Sequence, residues 1–260
     1  MEKKTKIVLI VVCSLLALAL ITVISILCIR SCVLNSLPES SYLTETIGDF
    51  EVLMFDDGCQ IKGTTEEGNG KKYLVIPESL NGVPVESLGY RTMVNIFTFN
   101  VITPPEIESE ALEKVYFESS IEVAESSFVD CPNLKKIMTF DTELSTKNGD
   151  IYLPRAVYEQ KYGDTYQSGK YRANVSFMYN YEDAKNEGYY RIDDCDYGGK
   201  IEFVPSDSVR EGYTFGGWYK EPECVNAWDF ETDVLPEEKK DADEEMIYRE
   251  TVLYAKWIAR

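Results

Sequence analysis

Four short apolar pairs recur between residues 74 and 140: Leu74/Ile76, Phe97/Phe99, Val115/Phe117 and Met138/Phe140, at intervals of 23, 18 and 23 residues. No other feature restricts the folding of this chain as much. Each unit supplies one short strand and cannot bury that strand's face alone, so the units must stack as a solenoid. The clearest unit runs Lys114-Val-Tyr-Phe-Glu-Ser-Ser-Ile121, then Phe128, Cys131-Pro-Asn-Leu134 and Ile137. A stack needs covered ends. Phe50 to Phe55 and Cys59 to Gly63 read as a hairpin turning at Asp57-Gly58 on the N-terminal side. Asp150-Ile-Tyr-Leu-Pro154, followed by Ala156-Val-Tyr158 and Tyr162, reads as a last strand and a short helix.

The final third is patterned differently. Gly212, Gly216 and Gly217 bracket Tyr213 to Phe215, a short strand ended by residues that tolerate positive φ. Val252, Tyr254 and Lys256 alternate with Leu253, Ala255 and Trp257, the period of a strand with two unlike faces. A domain of about 85 residues is short of core, so its tryptophans and tyrosines are core material first. Trp218 and Trp257 are expected to be mostly buried. The competing reading makes Trp218 and Trp228 a platform on which sugars stack.

Two family resemblances follow. Arg210-Glu-Gly-Tyr213, Phe215, Gly217-Trp-Tyr219, Trp228, Phe230 and Leu253-Tyr-Ala-Lys-Trp257 resemble the Listeria–Bacteroides repeat, the internalin-type B repeat of bacterial surface proteins. Ser127-Phe128, Cys131, Leu134 and Ile137 resemble the BspA-type leucine-rich repeat. So do Tyr73-Leu-Val-Ile-Pro77, Asn81-Gly-Val-Pro-Val85 and Leu88-Gly89. The middle unit departs from that pattern: it is short, lacks Cys-x-x-Leu and carries Pro104-Pro105. The resemblances imply an extracellular protein made of interaction modules.

At the N-terminus, Lys3, Lys4 and Lys6 precede an uncharged run, Ile7 to Ile29. As a helix it would be about 34 Å long, enough to cross a hydrocarbon core of about 30 Å. It reads as a signal anchor whose flanking lysines keep the N-terminus in the cytoplasm. A cleaved signal is the competing reading.

The expected organisation is therefore a cytoplasmic tail (1–6), a transmembrane helix (7–29), a stalk (30–46), a leucine-rich-repeat domain with caps (47–165) and a B-repeat domain (170–260). The fold class is α+β and mostly β, with the B repeat β-grasp-like. Gly163 to Ser168 reads as a polar junction between domains that each carry their own apolar set.

Charge limits the partners. The chain holds 45 acidic and 26 basic residues, a net −19; removing Glu2, Lys3, Lys4, Lys6 and Arg30 leaves −22 for the expected external part. Such a surface repels nucleic acid and anionic headgroups. Membrane contact is expected through residues 7–29 alone.

The chemistry of catalysis is sparse. There is no histidine, hence no Ser-His-Asp or Cys-His constellation. Cys13 and Cys28 fall in the apolar run; Cys32, Cys59, Cys131, Cys195 and Cys224 fall outside it, without zinc-ligand spacing. Cys195 and Cys224 are candidates for a disulfide, with isolated buried thiols the competing state. Gly63 to Lys72 has phosphate-loop glycine spacing but Asn69 where lysine is required, and reads as a hairpin loop. Asp193, Asp194 and Asp196 begin a calcium-like spacing that Gly198 and Pro205 break. The charged run at 236–245 reads as a solvated loop.

No catalytic, cofactor or metal residue is nominated, and no binding residue is singled out. The expectation is a non-catalytic, membrane-anchored protein of the cell surface that binds a protein or an envelope ligand. The alternative is a structural or scaffolding component of the envelope, to which the absence of a wall-sorting signal at Trp257-Ile-Ala-Arg260 gives weight.

Overall fold

A computed structural model describes residues 44–55, 57–89 and 107–260. These residues belong to one compact unit.

The chain opens with a meander. Strands β1 (Thr44–Ile47), β2 (Phe50–Met54) and β3 (Cys59–Thr64) pair antiparallel, and the expected hairpin joins β2 to β3. The expected hairpin loop over 63–72 is instead a one-turn helix, α1 (Glu66–Asn69). Thr65 caps it, its Oγ1 accepting from Gly68 N at 3.1 Å. That turn carries the chain out of the first sheet, and β4 (Tyr73–Ile76) starts a second. The first sheet is completed by β5 (Ser79–Leu80), β6 (Val83–Leu88) and β8 (Glu122–Val123).

The second sheet is a parallel ladder. Its strands are β4, β7 (Lys114–Phe117), β9 (Lys136–Met138), β10 (Asp150–Leu153) and β11 (Lys170–Arg172). Leu74, Val115, Ile137 and Ile151 are register partners, all fully or nearly fully buried in the core between the two sheets. Because β4 pairs directly with β7, no strand stands between them. The pair Phe97/Phe99, expected to found a coil there, lies outside the described residues.

Turns in this half are closed by the residues the sequence singles out. Phe128 and Cys131 are buried, and the Cys131 thiol donates to Ile107 O at 3.0 Å. Gly149 sits at φ +81, where a Cβ would also press on Leu134 and Ile137 at 3.2 Å. Helix α2 (Arg155–Tyr162) follows β10 as expected, with Tyr158 buried against the core.

The C-terminal sheet holds β12 (Val175–Met178), β13 (Tyr189–Asp193), β14 (Tyr213–Tyr219) and β15 (Thr251–Ala259), in the order β13-β12-β15-β14. The central pair is parallel and both outer pairs are antiparallel. The glycines at 216 and 217 do not end the strand; they form a bulge within it. Gly217 takes φ +98, and the register shift turns Phe215 and Trp218 toward the same core. A Cβ on Gly216 would meet Ile258 at 3.1 Å.

One expectation is corrected. The fold class stands as mostly β, but its N-terminal transmembrane helix is not supported. Among the described residues no helix is long and apolar enough to cross a membrane, and residues 7–29 lie outside them. Both tryptophans expected to be mostly buried are so: Trp218 is 4 % exposed, and Trp257, near the end of β15, is packed against the same core with part of its surface open. Its indole N–H donates to Tyr179 O at 2.6 Å.

Candidate functional site

The ladder's two faces differ in chemistry. The inner face carries Leu74, Val115, Ile137 and Ile151. The outer face carries two rows set by register. One row is Val75, Tyr116, Met138, Tyr152 and Tyr171; the other is Tyr73, Lys114, Lys136 and Asp150. Alternation thus places an apolar stripe beside a basic one.

The C-terminal half packs on this outer face. Tyr116, Met138, Ala173, Tyr189 and Ile192 form a buried cluster, with Tyr73, Val75, Phe140, Tyr152, Met178 and Phe203 against it. The Phe203 ring lies 5.1 Å from both Tyr73 and Tyr116. So although the segment 163–168 is polar and mostly exposed, the surface where the halves meet is apolar. Strand β11, at the start of the expected B-repeat domain, pairs with the ladder.

The basic stripe meets an acidic corner. Lys114 Nζ donates to Asp193 Oδ1 at 2.8 Å and to Asp194 O at 2.8 Å. Lys136 Nζ reaches Asp194 Oδ2 at 2.6 Å. Tyr73 donates to Glu202 at 2.6 Å. Arg191, 6 % exposed, stands 5.3 Å over the Tyr116 ring and 4.0 Å from Glu118. Tyr116 Oη and Asp193 Oδ2 are buried without a well-formed hydrogen bond, yet burial and the Asp193 charge together push the Tyr116 hydroxyl far up. Burial alone would lower the Lys114 ammonium; Asp193, Cys195 and Asp194 together outweigh it, so the net direction is upward.

The aspartates that begin a calcium-like spacing are therefore committed elsewhere, with Asp193 and Asp194 spent on lysines. Among the described residues no group of three or more acidic, cysteine or histidine side chains is placed to hold a metal ion. Cys195 and Cys224 are free thiols. Burial, reinforced by Asp193, pushes Cys195 well up, away from the thiolate a nucleophile needs. Cys131 is likewise pushed up to about 11 by burial.

Beside the ion pairs a cleft of about 310 Å³ opens. Lys72, Lys135 and Lys200 stand around it with Glu113, Asp196 and Glu202. This mixture of signs can orient a charged partner. The sequence did not nominate Lys114 and Lys136. The signal that could have found them is their shared place one residue before an apolar strand residue, Val115 and Ile137, in successive units.

The tryptophans divide between the two readings given above. Trp218 meets Phe177 at 5.0 Å, Phe215 at 5.3 Å and Tyr190 at 5.7 Å, which is a core position. Trp228 is half-buried with its indole N–H enclosed and unpaired. They do not form a shared open platform. The run at 236–245 is a surface turn closed by Asp241, which accepts from Asp243 N at 2.8 Å and Glu245 N at 3.0 Å.

The buried carboxylates predict a pH response. Burial raises Asp194, Glu118 and Glu250, against the opposing pull of Lys136, Arg191 and Ser176. A carboxyl with a higher pKa folded than unfolded favours the folded state most below the free range near about 4. That contribution is lost as pH climbs through the folded value. Glu143 and Glu159 are held down by Lys161 and Arg155, so their contribution fades only on further acidification. The melting temperature should rise as pH falls from 7 to about 5, then fall below about 4. Relief of the net negative charge adds to that rise, so the difference between variants is what tests the cause. Asp194→Asn with Glu118→Gln should flatten the slope between pH 7 and 5; an unaltered slope would refute this assignment.

Comparison with known proteins places one part of the chain. Residues 174–256 match the model of the Listeria-Bacteroides repeat domain. The match spans β12 to β15 and begins just past the ladder's last strand. No curated protein matches the chain. The repeat is found in surface proteins, which is compatible with an extracellular surface role.

Proposed function

We propose, from the repeat at 174–256, that this is a non-catalytic recognition protein of the bacterial cell surface that binds a protein or cell-surface ligand. The repeat match is the single observation that carries the reading. Residues 47–165 are read as a short BspA-type leucine-rich-repeat unit, which the parallel ladder and the buried Phe128, Cys131 and Leu134 support. In such a unit the outer sheet face is the natural place to bind a partner. Here the chain's own C-terminal half covers it, so recognition falls to surfaces that include both halves.

The test uses intact cells that make the chain. A membrane-impermeant amine reagent should label it, and crosslinking in the presence of a contacted cell or tissue should capture a partner foreign to the producing cell. Failure to label would end the surface reading. Crosslinks confined to the producing cell's own envelope would favour the scaffolding role over adhesion.

A further inference from the structure

Arg210 is held in an aromatic clasp. Its guanidinium stacks on Tyr213 at 3.9 Å and on Tyr181 at 4.4 Å, with Trp257 at 5.8 Å. Local geometry builds this clasp. Tyr213 N donates to Arg210 O at 3.2 Å, closing a turn through Gly212 at φ +78, and β14 begins at once. Tyr181 and Trp257 meet edge to face at 5.9 Å, and the Trp257 indole is tied to Tyr179 O.

What Arg210 lacks is equally specific. Arg155 and Arg172 bind Glu159, Arg191 faces Glu118, and Arg249 and Arg260 donate to Glu237 O and Thr214. The Arg210 guanidinium makes no hydrogen bond or ion pair with any described residue. The exposed carboxylates that adjoin the clasp residues in sequence, Glu182 and Asp183 beside Tyr181 and Asp207 and Glu211 beside Arg210, do not pair with it either. In a chain with 45 acidic residues, a half-buried guanidinium without a carboxylate is an exception.

Stacking uses the faces of a guanidinium and leaves its in-plane N–H donors available. Those donors form a rigid fork that matches a carboxylate. Because the rings already hold the fork, little further side-chain freedom is lost when a ligand arrives. The half-buried rings beside it offer apolar surface to a ring-shaped body. We propose that Arg210, with Tyr181, Tyr213 and Trp257, forms a binding site for a sugar carboxylate of the uronic-acid type. The carboxylate takes the guanidinium edge, and the apolar side of the pyranose lies on the aromatic rings. This names a ligand class within the surface-recognition reading and rests on that reading for where such sugars are met. Its test is made in solution, so its failure leaves the surface-labelling result untouched.

The full chain is titrated with glucuronate, glucose and acetate, followed by indole fluorescence and by calorimetry. Glucuronate should bind at least about tenfold more tightly than either of the others, since one charge-assisted fork is worth about 1.5–3 kcal/mol. Arg210→Gln should lose glucuronate binding by about 10- to 100-fold. Arg210→Lys keeps the charge and a cation–π contact with the rings but not the planar fork, and should fold while binding about tenfold more weakly than the parent. The proposal is overturned if the parent chain does not respond to glucuronate, if acetate or glucose binds equally well, or if Arg210→Lys binds as tightly as the parent. A large fall in melting temperature for Arg210→Gln, with no glucuronate binding by the parent, would make the stack a structural clasp only.

Discussion

Replacing Trp218 with alanine should cost about 3 to 5 kcal/mol, the penalty for emptying an aromatic core site. The indole touches Phe177, Tyr190 and Phe215 at the centre of the C-terminal core. A compact chain of this size holds only about 5–15 kcal/mol in total, so the melting temperature should fall by about 10 °C or the sheet should fail to form. Trp257→Ala should cost less, because that ring is half-buried. Thermal melts of both variants check the order. Equal losses would mean that Trp257 is as much a core residue as Trp218, contrary to its position at the end of β15.

Asp193→Ala should be nearly as damaging, for an electrostatic reason. The Asp193 side chain is 1 % exposed and that of Lys114 is 17 % exposed. Removing the carboxylate leaves a mostly buried ammonium with a backbone carbonyl as its remaining close partner. Breaking such a pair costs about 3 kcal/mol or more, whereas replacing both members with apolar groups is often close to neutral. The single variant should therefore be far less stable in urea than the double variant Lys114→Met/Asp193→Leu. If the single substitution costs under about 1 kcal/mol, the pair behaves like an exposed one and the junction owes its strength to the apolar stripe alone.

Much of the fold was legible in the chain because it rested on local signals. The β2–β3 hairpin, the strand and helix over 150–162, and the two-faced alternation of β15 each follow from turn residues or period. The direct pairing of β4 with β7 was not legible, because spacing shows that strands recur and not which one is neighbour to which. The bulge at Gly216-Gly217 was missed for a related reason. Paired glycines mark a break in regular strand, and only the opposing strand decides whether the break is an end or a bulge. The junction was the least visible part. Tyr116, Met138, Tyr189 and Ile192 look like outward positions of separate strands until one face is laid on the other. Arg210 was visible as a motif residue, but its lack of a carboxylate partner is a property of three dimensions.

The strand order of the C-terminal sheet has a mechanical consequence. Its first strand, β12, and its last, β15, are parallel neighbours, with Val175 opposite Thr251 and Met178 opposite Tyr254. Parallel pairing sets the entry of β12 and the exit of β15 at opposite ends of that pair. Tension applied between residues 175 and 259 would then run along the strands and load the central hydrogen bonds together in shear. It would not peel them apart one at a time. Under the surface role proposed above, a pull on a bound partner would load this sheet along its strands.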